Sequence, residues 1–312
     1  MQSASKRQVD TLVLTDSETT RSSHSSLFAE LEHRGHQLRF KSFSDKLELQ
    51  QFGEYMYDNL LIISVSGKEL SLKSRSILSF VESGRGLLLA VNSNVHSQLR
   101  SIANECGIDF DPKSSAVGDH FSFVRGGSVA SADHWLVTST DVTSTEAFVG
   151  AAGTVNGPVI FRGIAHAIAV NNKMVTPLLK GSATAFSATK DDQSAEPWNL
   201  GSKTLLVSAL QTPSNGRVLL SGSAELCSNE FFNMPVDAEG HRSGNRQFCL
   251  ELTKWTFLEK SVVVAKNLVH NVVGSTAINP VQYRINDNIV SFQREGSMMQ
   301  CWLTNKQTGL CY

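Results

Sequence analysis

The chain is short of the signals by which many proteins announce their chemistry. Its five cysteines, at 106, 227, 249, 301 and 311, form no C-x-x-C pair. None of its nine histidines has zinc-finger or HExxH spacing, so a structural zinc or zincin site is not expected. There is no G-x-x-x-x-G-K-[ST] and no G-x-G-x-x-G; Gly84-Arg85-Gly86 precedes an apolar run, whereas a dinucleotide fingerprint follows one. The net charge is only −1 and no five-residue basic block occurs, which argues against a nucleic-acid partner. The amino-terminal stretch MQSASKRQVDTLVL lacks the apolar core of a secretory signal, and the longest apolar runs are strand-sized. No N-x-[ST] sequon, internal repeat or low-complexity tract is present.

What is present suits a folded globular chain. Hydrophobic residues make up 41% of the 312 positions and charged residues 18%, too apolar for disorder. Leu60 to Val65 is too short for an ordinary helix and too apolar for a half-exposed strand, so it reads as a strand buried on both faces. Thr11 to Leu14, Leu38 to Phe43 and Gly86 to Val91 read as further strands. Between them lie helical stripes. Leu27, Phe28 and Leu31 share one face, with Ser22 or Ser23 as cap and Gly35 as stop. Ile77, Phe80 and Val81 form a second stripe, ended by Gly84; Leu99, Ile102, Ala103 and Cys106 form a third, ended by Gly107. Strands alternating with helices predict an α/β fold with mainly parallel pairing in a covered sheet.

Residues 112 to 160 are rich in Ser, Thr, Gly and Val and read as short strands and loops. Strand signals return at Val159 to Phe161, Thr204 to Ala209 and Arg217 to Leu220, with a tight turn at Asn215-Gly216. Phe248, Leu252 and Trp255 mark a last amphipathic helix, and Ser261 to Val273 reads as strand and turn. A boundary is expected near residue 260: an α/β domain over 1–260, the first strands of a β-rich domain over 261–293, and a divergent tail over 294–312.

The candidate reactive groups are few. Cys106 ends a helical stripe and suits core packing, and Cys227 lacks the small flanking residues of a nucleophile elbow. The cysteines are expected to be free and buried. Asp119-His120 is an acid/imidazole pair, but adjacent strand residues point to opposite faces, so loop hydrogen bonds are expected. The histidines, including His24, His36 and His166, are expected at the surface or in loops. Glu54, Tyr55, Tyr57 and Asp58 could form a recognition surface, or the rings could pack under the sheet with the acids facing solvent.

Several segments resemble, in order, those of the 48-kDa subunit family of eukaryotic oligosaccharyltransferase. They are FGEYMYDNL (52–60), RGHQLRFK (34–41), ECGIDFD (105–111), Ala116-Val117 with Asp119-His120, PVIFRG (158–163), and Ser221-Gly222-Ser223 followed by Phe231-Phe232-Asn233. Val273 to Ala277 matches a further family turn only in part. The resemblance implies a flavodoxin-like, class I glutamine-amidotransferase-like sandwich followed by the start of a β-rich domain. It implies a non-catalytic accessory subunit, supporting transfer of a dolichyl-diphosphate-linked glycan to Asn of Asn-x-Ser/Thr. No catalytic, cofactor-binding or metal-ligating residue is implied for this chain. The implied partners are the catalytic and accessory subunits, with nascent polypeptide or lipid-linked oligosaccharide beyond them. The implied location is the luminal side of the endoplasmic reticulum membrane, although the family's signal and transmembrane segments have no counterpart among these residues. The alternative reading is a soluble amidotransferase-like hydrolase using Cys227 or Cys106.

Overall fold

The structure is a computed structural model. It describes residues 8–125, 133–169, 172–190, 196–262, 268–276, 279–280, 282, 289–293 and 301–303. The chain divides into two compact units, Met1–Ser261 and Val262–Tyr312.

The first unit is organised by a nine-stranded sheet: β1 (Val9–Thr15), β2 (His36–Ser42), β3 (Asn59–Ile63), β4 (Gly86–Ala90), β5 (Ile108–Phe110), β6 (His166–Ile168), β7 (Val175–Lys180), β8 (Leu205–Gln211) and β9 (Arg217–Ser221). The spatial order is β2-β1-β3-β4-β9-β8-β6-β5, with β7 also paired to β8. The first five run parallel, in the order of a flavodoxin-like doubly wound sheet. Every residue of β3, β4 and β9 is buried, as continuous apolar runs require when both faces are covered.

Alternation along the strands sorts the core into two layers. Val13, Leu61, Leu88 and Leu219 pack with α1 (Ser25–His33) and α4 (Asn245–Thr256), meeting Leu27, Leu31, Phe248 and Leu252. Leu12, Leu60, Ile62, Leu87 and Leu89 pack against α2 (Ser74–Glu82) and α3 (Ser97–Glu105), meeting Ile77, Phe80, Leu99 and Ile102.

Two expectations need correction. The sheet is mixed, because β8, β7, β6 and β5 pair antiparallel. For β8 and β9 the cause lies in the Asn215-Gly216 turn, where Asn215 has φ 67°; so short a connection joins them only as a hairpin. Neither Ser22 nor Ser23 caps α1: a short helix at Thr20–Ser23 comes first, and His24 holds the cap position without a side-chain cap bond.

β9 joins the parallel and antiparallel halves, and both of its ends are fixed. At its start the buried Arg217 guanidinium donates to the carbonyls of Trp255 (2.7 Å), Lys260 (2.8 Å) and Ser261 (2.6 Å). It also lies 4.9 Å from the Trp255 ring. These contacts satisfy orphan carbonyls at and beyond the end of α4. At its far end the chain after β9 crosses the chain after Val159–Phe161. Ile164 N donates to Gly222 O at 2.9 Å, and Val117 N to Gly163 O at 2.9 Å. A Cβ on Gly222 would lie 1.8 Å from Ile164 O, and one on Gly163 would lie 2.0 Å from Gly222 O. Only glycine fits at either place.

Beside the large sheet, Ser115–Gly118, Phe186–Thr189 and Asn199–Leu200 form a three-stranded sheet, and Val137–Ser139 pairs with Val159–Phe161. In the second unit, Leu268–Val272, Ile289–Gln293 and Cys301–Leu303 form an antiparallel sheet with Ile289–Gln293 in the middle. Of the strand and turn expected over Ser261 to Val273, residues 263–267 fall outside the described residues, as does the tail over 294–312 apart from Cys301–Leu303.

Gly222→Ala is expected to destabilise the first unit by about 3 kcal/mol, the upper end for overpacking. Urea unfolding of the variant beside the parent measures it, and an unchanged midpoint would contradict the close crossing.

Candidate functional site

Doubly wound sheets bind ligands beyond the carboxyl ends of their strands, where the strand order reverses. Here that place lies between β1 and β3, and the chain fills it with its own carboxylate. Asp16 directly follows β1 and is 4% exposed. Its Oδ1 accepts from Val65 N (2.8 Å), and its Oδ2 from Ser64 Oγ (2.9 Å), Ser66 N (2.9 Å) and Lys68 N (3.4 Å). Lys68 Nζ donates to the Asp16 carbonyl at 3.1 Å. Converging backbone N–H groups of this kind ordinarily hold a phosphate or another anion. Asp16 belongs to none of the motifs singled out from the sequence. Its signal was an acid set immediately after an apolar strand, in LVLTD.

The reactive groups singled out from sequence do not assemble. Cys106 is buried at the end of α3, and burial, with Glu105 adding, pushes its thiol up to about 12. A thiol so protonated is not a nucleophile near neutrality. Cys227 is bonded to Cys249, which corrects the expectation of free cysteines. The two lie 22 residues apart, on the turn after β9 and on α4, and nothing in their spacing reveals the pairing. Asp119 and His120 lie just beyond the strand Ser115–Gly118 and make separate contacts. Burial works against the Asp119 charge, but hydrogen bonds from Ser182, the Ser122 and Phe121 amides and Thr184 hold its carboxyl below the ordinary range. His120 is exposed and stacks on Phe186.

Three histidines are buried, contrary to the surface placement expected. His24 Nε2 donates to Ala224 O at 2.9 Å, and burial lowers its pKa. His166 Nε2 lies 2.7 Å from Ser208 Oγ, and burial lowers its pKa to about 3. His36 sits between Thr11 Oγ1 (2.8 Å from Nδ1) and Glu259 Oε1 (3.0 Å from Nε2). This hydroxyl–imidazole–carboxylate line has the membership of a hydrolytic triad. Thr11 is fully buried between β2 and β3, so no reacting carbonyl can approach it. Among the described residues, one group of His, Asp and Glu brings its donor atoms together: Asp237, Glu239 and His241. His241 Nδ1 is already 2.6 Å from Asp237 Oδ2, and both side chains are exposed.

Of the group Glu54 to Asp58, the two rings pack against the fold. Tyr55 meets Phe80 edge-on at 5.4 Å with the Arg85 guanidinium 4.2 Å from its ring centre, and Arg85 Nε donates to Tyr57 O. Asp58 accepts from Asp10 N at 3.0 Å, and Glu54 faces solvent.

The family profile described as OST48, N-terminal domain, matches residues 2–259. The chain belongs to this family. Relatives named as the dolichyl-diphosphooligosaccharide–protein glycosyltransferase 48 kDa subunit are 41% identical over 288 residues in Arabidopsis thaliana, 31% over 287 in Danio rerio and 32% over 291 in Caenorhabditis elegans. Each alignment covers 89% of this chain and 64–65% of the relative, so the chain spans about two thirds of their length. Among solved structures, a ThuA-like protein from Parabacteroides merdae aligns with TM-score 0.41 at 11% identity, over 84% of this chain and 94% of its own.

Several of the segments that carry the OST48 resemblance are occupied in holding the fold. The Asp111 carboxylate accepts from Ser187 Oγ and from Asn199 Nδ2 (2.8 Å), tying ECGIDFD to the three-stranded sheet. PVIFRG and Ser221-Gly222-Ser223 meet at the Gly163–Gly222 crossing. Buried Asn245 on α4 ties PVIFRG to the turn after β9: its Oδ1 accepts from Ile160 N, and its Nδ2 donates to Ile160 O and Leu226 O. Phe231 and Phe232 are core residues.

Two measurements check this reading. Peptide mapping without reduction is expected to recover Cys227 linked to Cys249, and Cys249→Ser is expected to cost about 3 kcal/mol, as for a loop of this length. His166 stays neutral in the fold down to about pH 3, while the unfolded chain takes up that proton near 6.5. Its contribution is therefore complete above pH 6.5 and is lost on acidification, by about 2 kcal/mol between pH 7 and pH 5. Denaturation as a function of pH is expected to show that slope in the parent and a shallower one in His166→Asn.

Proposed function

We propose that the chain is a non-catalytic subunit of oligosaccharyltransferase, acting on the luminal side of the endoplasmic reticulum membrane. There it supports transfer of a dolichyl-diphosphate-linked glycan to Asn of Asn-x-Ser/Thr in nascent polypeptides. Its partners are the catalytic and other accessory subunits, and residues 1–260 are the scaffold domain it contributes. The observation that carries this reading is the state of its reactive groups: Cys106 is sealed, Cys227 is oxidised, Thr11 is enclosed and Asp16 plugs the ligand crevice. A hydrolase built on Cys106 or Cys227 would need one of those thiols exposed and ionisable. A disulfide between half-buried Cys227 and buried Cys249 suits an oxidising lumen. Among the described residues no helix is long and apolar enough to cross a membrane.

The test is replacement in cells depleted of the endogenous subunit, with residues 1–260 set into the full-length protein. Sequon occupancy of a reporter glycoprotein is read by mass spectrometry against subunit abundance. Parent and Cys106→Ala are expected to restore occupancy equally. Loss of occupancy at normal abundance in Cys106→Ala would favour the hydrolase reading instead.

A further inference from the structure

The side chain of one residue of FGEYMYDNL stands outside the packed fold. Phe52 is 98% exposed and sits at φ 52°, in the left-handed region that bulky side chains avoid. With Gly53 at φ 84° it forms the two-residue turn of a hairpin whose arms pair Gln50 with Tyr55 and Gln51 with Glu54. Turns with two positive φ values favour Asn-Gly or Asp-Gly. Phenylalanine there costs conformational energy and exposes an aromatic ring, and neither is repaid within the chain. The hairpin is nonetheless held firmly. Tyr55 is pinned between Phe80 and Arg85, and Met56 N donates to Leu49 O at 3.0 Å.

Beside the hairpin, sharing Gln50 and Tyr55 with it, lies a groove of about 610 Å³. Exposed Lys46, Lys73 and Arg75 line it against a single carboxylate, Glu48. None of the three cations is ion-paired among the described residues. Strain held in place, an exposed aromatic anchor and unneutralised charge together mark a binding surface. The charge selects an acidic ligand. The concavity selects a polypeptide segment, because the flat face of a bilayer could meet Phe52 but could not enter the groove.

We propose that the Gln50–Tyr55 hairpin and this groove dock an acidic, extended segment of a partner protein, with Phe52 as the apolar anchor. The proposal draws on the subunit reading only in taking the partner to be another subunit of the complex.

Phe52→Gly separates docking from folding, since glycine relieves the backbone and removes the anchor. In the full-length protein in cells, the melting temperature is expected to hold or to rise by about 2–4 °C. Co-purification of the other subunits is expected to fall at least about fivefold, as for loss of an anchoring residue. The combined charge reversals Lys46→Glu, Lys73→Glu and Arg75→Glu are expected to weaken it similarly. A photo-crosslinking phenylalanine analogue at position 52 is expected to map to a subunit segment of net negative charge. Wild-type co-purification in both variants, a lowered melting temperature in Phe52→Gly, or a crosslink to lipid or to a neutral or basic segment would each overturn the proposal. If the parent itself does not co-purify, the subunit reading fails, and titration with an octaglutamate peptide then decides the groove. Saturable binding, weakened by salt and lost in the charge-reversed variant, supports it; absence of such binding overturns it.

Discussion

A buried guanidinium sets the frame of the first unit. Arg217 opens the strand at which the parallel half of the sheet meets the antiparallel half, and its partners are carbonyl oxygens at and beyond the end of α4. Burial lowers its pKa, yet an arginine so placed stays charged. Three hydrogen bonds from its two terminal nitrogens offset the cost of burying this charge, while its Nε has no partner. The end of α4 must therefore lie where it does, and α4 in turn carries Asn245, Cys249, Leu252 and Trp255 to their places over the sheet. Five residues on from Arg217, Gly222 makes the backbone crossing possible. One short strand thus fixes the outer layer at one end and the loop region at the other.

The parallel half of this arrangement was legible in the sequence. The runs at Leu12, Leu60 and Leu87 are apolar without interruption, and both of their faces are covered. The stripes at Ile77 and Leu99 gave their helices because burial on one face repeats with the helical period. The antiparallel half was hidden by short strands of mixed character, although Asn215-Gly216 pointed to it. The buried polar residues could not be read at all. His24 bonds a carbonyl 200 residues away and His36 a carboxylate 223 away, and no local pattern encodes partners so distant. The disulfide was invisible for the same reason. Phe52 is visible in the sequence as part of FGEYMYDNL, but its exposure and its backbone conformation emerge only in three dimensions.

The polar residues of this fold show how chemistry-bearing side chains become architecture. Asp111 and Asp119 each collect hydroxyl or amide donors and join segments far apart in the chain. The line from Thr11 through His36 to Glu259, with Arg34 3.1 Å from the same carboxylate, links β1, β2 and the chain beyond α4. Such residues are hard to replace, but for reasons of satisfaction and packing rather than turnover.

Asp16 takes this furthest. A free anion would reach the amides beyond β3 only at its concentration in solution. The Asp16 carboxylate is tethered one residue beyond β1, and its effective concentration there is set by the covalent chain. For short tethers that concentration is of order millimolar or higher, and it does not fall on dilution. A metabolite phosphate would have to outcompete a ligand that never leaves. The crevice is in that sense permanently inhibited, by an inhibitor inherited with the polypeptide.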